Sequence, residues 1–397
     1  MQSAAAVAAG AGIAALIYIL QRRKALRSYL SPTLERSLRL EAFERKVHQA
    51  AMESIPAWAR ESARPEFLKG VDEWQQGPRP SDVCIAAHAE PDWRVPPGKA
   101  HIGGWDVRHA RSNDARCNWE RLPALPASFQ SKRVTAKGVP CFWSNWPGVD
   151  AVSTGVIIYI HGGCNIVGTA AEVLNHSARI SQLVGQKVLS VDFRLAPEHP
   201  LPAGTLDVVA AYEWLLTDEH YLPAQIALLG FSSGGSLVML ALQEIKRRQL
   251  PMPACGVPVS AWHQHSDEPE MRAVKGTQQW TAWQMTCGNL DIDGKPTGSN
   301  NDVNQPTYSF LNGSFAELCP LYVLVGSQES EWDLKTSLRL VEAARSAGVN
   351  VTLDIAAYLQ HCPIGQDVFQ CPEDMLCVSR VASYIRDALP PPWSLIY

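Results

Sequence analysis

The chain has 397 residues, 46% of them hydrophobic and 19% charged, with a formal net charge of −4 at pH 7. That is ample apolar mass for one large domain or two smaller ones, and the balance carries no basic surplus for a nucleic-acid partner. No tandem repeat or low-complexity tract is present.

The N-terminus stands apart. Ala4–Leu20 (AAAVAAGAGIAALIYIL) carries no charge and is followed at once by Gln21-Arg22-Arg23-Lys24. Such a run sits at the short end of a membrane span. A cleaved signal peptide carries its positive charge before the apolar run. Residues 1–24 are therefore read as a single-pass membrane anchor, with an alanine-rich helix or a transit peptide as alternatives. By the positive-inside rule the basic flank places the remainder of the chain in the cytosol. Glycosylation-type sequons stand at Asn175, Asn312 and Asn350.

Residues 25–75 are predicted helical, with Leu30, Leu34, Leu38, Leu40 and Phe43 at roughly helical spacing. Residues 76–130 are broken by Gly and Pro and rich in Trp and Arg. From Ser131 the texture changes. Arg133–Thr135 and Cys141–Trp143 are predicted to pair around Lys137-Gly138-Val139-Pro140. Short apolar strands come next at Val156–Ile160, Val188–Val191, Ile226–Leu229, Val257–Ser260, Leu321–Val325 and Val351–Ile355. Helices are predicted at Ala170–Val184, Leu206–Leu216, Gly235–Arg248, Leu334–Ala347 and Asp374–Leu389. Strands that alternate with helices imply an α/β fold with a mostly parallel sheet covered on both faces. Residues 261–318 interrupt the alternation without clear elements, as a lid, a binding loop or a disordered insertion would. The division is an anchor at 1–24, an extension or cap at 25–130, and a catalytic domain at 131–390 that contains the 261–318 insertion.

Ten cysteines are scattered with no Cys-x-x-Cys, so neither zinc nor dithiol redox chemistry is indicated, and buried free thiols are expected. His263 and His265 lack a third ligand nearby and do not make a metal site. No cofactor is called for.

Gly230-Phe231-Ser232-Ser233-Gly234 follows a predicted strand and opens a predicted helix. That placement suits a nucleophile elbow, with Ser232 at a tight turn before a helix N-terminus. A serine needs a base, and in the α/β-hydrolase order the acid and then the histidine come after it. His361 lies just past the final strand. The acid candidates after Leu321–Gly326 are Glu329, Glu331 and Asp333, with Glu329 preferred. An oxyanion hole needs backbone N–H groups. Gly162 and Gly163 of His161-Gly162-Gly163-Cys164 come directly after a strand and let the backbone approach a bound carbonyl; Ser233 N–H supplies another donor.

With these pieces in order, the chain resembles the hormone-sensitive-lipase-like α/β-hydrolases (the alpha/beta hydrolase fold-3 group). His161-Gly162-Gly163 looks like the family's HGGG, residues 192–203 (DFRLAPEHPLPA) like its YRLAPEHPFPA, and GFSSGG like GDSAGG. The resemblance is good over 150–250, moderate over 319–388 and poor elsewhere. It implies Ser232 as nucleophile, His361 as base, Glu329 as acid with Asp333 four residues on, and Gly162, Gly163 and Ser233 as oxyanion donors. It also implies a cap over an apolar pocket. Cys164 in place of a third glycine, Phe231 in place of an aspartate and Ser233 in place of alanine depart from the pattern. Arylacetamide and neutral-cholesterol-ester deacetylases are similar and carry an N-terminal anchor. They imply a small-molecule ester substrate and an endoplasmic-reticulum membrane, but with a luminal catalytic domain, against the charge rule. The competing expectation is a non-catalytic receptor or scaffold on the same fold.

Overall fold

The computed structural model describes residues 125–262, 278–327, 329, 331–356, 359, 361–364 and 372–390. Residues 1–124 lie outside this description, and with them the expected anchor and most of the expected cap, as do His263 and His265. None of the described helices is long and apolar enough to cross a membrane.

The sheet begins with a hairpin. β1 (Lys132–Ala136) and β2 (Val139–Trp143) pair antiparallel across Lys137-Gly138. Both turn residues have positive φ, 47° and 91°, as a tight two-residue hairpin loop requires. Beyond β2 the alternation read from the sequence holds. It runs β3 (Val156–Ile160), α1 (Leu174–Val184), β4 (Lys187–Val191), α2 (Ala203–Thr217), β5 (Ile226–Phe231), α3 (Ser233–Arg247), β6 (Cys255–Val259), α4 (Gln278–Thr286), β7 (Leu321–Gly326), α5 (Glu331–Ser346), β8 (Val351–Ala356) and α6 (Pro372–Ala388).

The strands form one sheet in the order β1-β2-β4-β3-β5-β6-β7-β8, parallel from β4 to β8. β3 is completely buried, which explains its unbroken apolar run VIIYI: it faces helices on both sides. Val156, Ile158 and Ile160 pack toward α2, α3 and α5, while Ile157 and Tyr159 pack toward α1 and α6. Each face therefore has its own hydrophobic layer, set by the two-residue period of the strand.

The topology also locates the site. From β3 the chain crosses to β4 on one side, then returns to β5 on the other. The carboxyl ends of β3 and β5 flank a crevice at this switch point, where open α/β sheets place ligands.

The insertion departs from expectation. Within 278–318 the chain forms α4, an isolated bridge between Leu290 and Pro296, and a 3-10 turn at Phe310–Asn312. Ala282, Trp283, Met285 and Cys287 pack with Ile166, Val167, Ala196 and Trp262 in a separate apolar cluster. The helix is not evident from the sequence because its buried residues include Thr281 and Thr286 as well as apolar ones, so no apolar stripe marks it. All seven described cysteines are free, and five are buried.

Candidate active site

Ser232 stands between β5 and α3 with φ 53° and ψ −119°. A non-glycine residue there is strained by roughly 1–3 kcal/mol and needs over-determining surroundings. They are visible. Ser232 N–H donates to Val259 O (2.9 Å), and Ser232 O accepts from Trp262 N–H (3.1 Å) and Ser236 N–H (3.1 Å). The flanking glycines are there for space. A Cβ on Gly230 would stand 2.2 Å from Gly234 O, and one on Gly234 would stand 2.3 Å from Ile160 O. Gly230 lets the first turn of α3 fold back against β5, and Gly234 lets the elbow sit this close to the end of β3.

His361 lies past the end of β8. Its Nε2 is 2.9 Å from Ser232 Oγ and its Nδ1 is 2.8 Å from Glu329 Oε2. A carboxylate can only accept, so Nδ1 carries the proton and Nε2 faces the serine hydroxyl as an acceptor. The carboxylate bonded to the imidazole is therefore that of Glu329. Asp333 is buried in the first turn of α5, and the Glu331 side chain lies outside the described residues.

The Glu329 side chain is fully buried while that of His361 is 43% exposed. Burial pushes the Glu329 carboxyl up, but the His361 charge and hydrogen bonds from His361, Ser260 and the Gly326 backbone outweigh it and hold the pKa below the ordinary value. Desolvation works against a charged His361, yet the Cys362 sulfur and the Glu329 carboxylate prevail and raise its pKa well above the imidazole value.

Ser260, just past β6, does not stand out in its sequence context. Its hydroxyl donates to Glu329 Oε1 and accepts from Cys362 N–H (3.0 Å). One buried hydroxyl thus ties the carboxylate after β7 to the histidine loop after β8. Nothing in the sequence marks it beyond a polar residue ending an apolar strand.

Gly162 and Gly163 lie beyond the end of β3. A Cβ on Gly162 would meet Phe231 O at 3.0 Å and Ser232 Cβ at 3.3 Å; Gly163 has φ 111° and a Cβ there would stand 2.2 Å from Val167 O. The loop is fastened to the elbow by Asn165 N–H donating to Ser233 Oγ (3.0 Å). It is also fastened to α4, where Thr286 Oγ1 donates to Cys164 O (3.2 Å). The N–H groups of Gly162, Gly163 and Ser233 donate to no acceptor among the described residues.

Cys164 takes the left-handed conformation (φ 55°). Phe231 points away from the crevice into the α1–α6 layer, against Tyr159 and His176. Arg194 grips buried Asp207 through paired hydrogen bonds of 2.8–3.1 Å, which holds the loop after β4. Glu329, Asp333 and His361 bring one potential ligand atom each within 4.8 Å of one another. The His361 Nδ1–Glu329 Oε2 hydrogen bond already engages two of these groups.

Residues 157–364 match the alpha/beta hydrolase fold family. An acetyl-hydrolase of Streptomyces hygroscopicus is 29% identical over 198 residues, covering 50% of this chain and 64% of that protein. Esterase LipI of Mycobacterium tuberculosis is 28% identical, covering 55% of this chain and 69% of that protein. The crystal structure of an esterase from the bacterial hormone-sensitive lipase family superposes with a TM-score of 0.61 at 28% identity, covering 75% of this chain and 94% of that one. The chain belongs to the hormone-sensitive-lipase-like α/β-hydrolase family.

Proposed function

We propose that this protein is a serine carboxylic-ester hydrolase. The carrying observation is the unbroken hydrogen-bonded series Ser232 Oγ–His361–Glu329, at 2.9 and 2.8 Å. As an ester carbonyl enters the crevice, Ser232 Oγ attacks carbon and its proton passes to His361 Nε2. Glu329 holds the tautomer and stabilises the imidazolium. Backbone N–H groups of Gly162, Gly163 and Ser233 receive the developing oxyanion. The imidazolium returns its proton to the leaving alkoxide, and the C–O bond breaks to leave an acyl-Ser232. Water, deprotonated by His361, attacks that acyl group. Collapse releases the carboxylic acid and restores Ser232.

The substrates are hydrophobic esters. Trp262, whose backbone N–H donates to Ser232 O, packs edge-on against Trp283 at 5.0 Å in a buried apolar cluster next to the elbow, which supports an apolar setting for the acyl group. The uncharged Ala4–Leu20 run supports attachment to a membrane, in keeping with esters drawn from a lipid phase. Segments 25–130 and 261–318 are assigned to the cap.

The test is hydrolysis of p-nitrophenyl esters of rising acyl length by the wild type and Ser232→Ala. The proposal requires a loss of about 10⁴-fold or more in kcat for the variant, with a preference for acyl chains longer than acetyl. Equal hydrolysis by both proteins would refute it. Flotation with lipid vesicles, lost on deleting residues 1–24, tests the anchor.

A further inference from the structure

Beneath the site, on the face opposite α3, lies a buried cluster that the proposed chemistry does not use. His176 of α1 is 1% exposed. Its Nε2 lies 2.8 Å from the carbonyl oxygen of Ile364, three residues beyond His361, and its Nδ1 lies 2.7 Å from Tyr159 Oη in β3. A carbonyl only accepts, so Nε2 carries a proton and donates to Ile364 O, while Nδ1 shares a hydrogen bond with the Tyr159 hydroxyl. Burial pushes the Tyr159 phenol well above its ordinary pKa, which keeps that proton in place. His176 thus donates from Nε2 toward the His361 loop. Phe231, the residue before Ser232, closes the cluster: its ring sits 5.4 Å from Tyr159 and 5.2 Å, edge-on, from His176.

The loop that carries His361 needs such a tether. Cys362 (φ 59°) and Ile364 (φ 62°) both occupy the left-handed region, unfavourable for side chains with a Cβ and worse for a β-branched one. Two strained residues so close together are retained only if their surroundings impose the conformation. Ser260 holds one end through Cys362 N–H, at 3.0 Å. The Ile364 carbonyl at the other end is held by His176, while the Ile364 side chain is fully buried in the α1–α6 layer. His361 Nε2 must meet Ser232 Oγ at hydrogen-bond distance, and displacement by about 1 Å can cost on the order of a hundredfold in rate.

We propose that His176 is a positioning residue, which, through the Ile364 carbonyl, fixes the loop that presents His361 to Ser232. The role is mechanical: His176 touches no reacting atom, and it links β3, the residue beside the nucleophile and the base loop in one buried unit. This inference rests on the reading of Ser232 and His361 as nucleophile and base.

The experiment uses the full chain with p-nitrophenyl butyrate. Ser232→Ala against wild type first establishes whether hydrolysis depends on Ser232; if it does not, the reading of the site fails. Two substitutions then address His176 itself. His176→Gln keeps a side-chain N–H that can reach the Ile364 carbonyl; His176→Phe keeps bulk and loses the donor. We expect kcat to fall about 10- to 100-fold in His176→Phe with KM within about twofold, and to recover to within about fivefold of wild type in His176→Gln. Hydrogen exchange of a peptide spanning residues 361–364, which needs no activity, should quicken in His176→Phe and stay near wild type in His176→Gln. Wild-type kcat and exchange in His176→Phe would overturn the inference. So would equal losses in both variants accompanied by equal falls in melting temperature, since that pattern means general packing.

Discussion

Removing the Ser260 hydroxyl should damage stability and chemistry together. Ser260 is fully buried, and its hydroxyl serves two partners, Glu329 Oε1 and Cys362 N–H. Ser260→Ala deletes a hydrogen bond to a charged group, of about 1.5–3 kcal/mol, and strands a backbone N–H at about 1–3 kcal/mol. Partial relaxation makes about 3 kcal/mol a reasonable expectation for the total. The Glu329 carboxyl also loses one of the contacts that hold its pKa down, so it must rise toward its ordinary range. Ser260 has φ 45°, which adds an internal control. Ser260→Gly loses the same hydroxyl but relieves roughly 1 kcal/mol of left-handed strain, so it should be the more stable of the two variants and no more active. Urea unfolding midpoints at neutral pH, with kcat/KM measured across pH, report both effects. An alanine variant within about 0.5 kcal/mol of wild type and with an unchanged pH profile would refute the bridging role.

The same geometry has other consequences. A raised His361 pKa means that the base stays protonated, and kcat/KM depressed, beyond the ordinary imidazole value of about 6.5, until the pH exceeds the raised value; in Glu329→Gln the acid limb should move down and kcat should fall. For stability, the raised His361 contributes fully below about pH 6.5 and loses its contribution as pH rises through the folded pKa. The depressed Glu329 contributes above about pH 4.3 and loses its contribution as pH falls through its folded value. Thermal melts should therefore show the pair's stabilisation greatest between those limits, and Glu329→Gln should flatten that dependence. Gly234→Ala places a Cβ 2.3 Å from the Ile160 carbonyl oxygen, so it should abolish activity and lower the melting temperature sharply; soluble, active Gly234→Ala would contradict the close packing of elbow on β3. Trp283→Ala should cost about 3–5 kcal/mol and shift the preferred acyl length upward, read from the ester series.

What can be read from the sequence depends on which interactions are local. Fully apolar strands such as VIIYI announce a sheet covered on both faces. Gly230 and Gly234 announce a crowded turn, because their spacing along the chain is itself the contact. The pairing of strands and the meeting of Ser232, Glu329 and His361 across β5, β7 and β8 are inferred from order along the chain and from family pattern. Choosing Glu329 over Asp333 also relies on the family pattern; in the structure, Glu329 is the residue hydrogen-bonded to His361. Ser260 and His176 are invisible in the sequence, since each acts through long-range hydrogen bonds that leave no periodic trace. Helix α4 is hidden because it is buried through threonines as well as tryptophan, so the apolar period that reveals α1 or α3 is absent. Phe231 reads as the loss of an aspartate next to the nucleophile; its ring packs in the α1–α6 layer against Tyr159 and His176.

The most direct measurement is covalent trapping. Incubation of the intact protein with a fluorophosphonate, followed by peptide mass mapping, should give one adduct, on Ser232, formed slowly in His361→Ala and absent in Ser232→Ala. An adduct elsewhere, or labelling that persists at the same rate in Ser232→Ala, would contradict the assignment of Ser232 as the nucleophile.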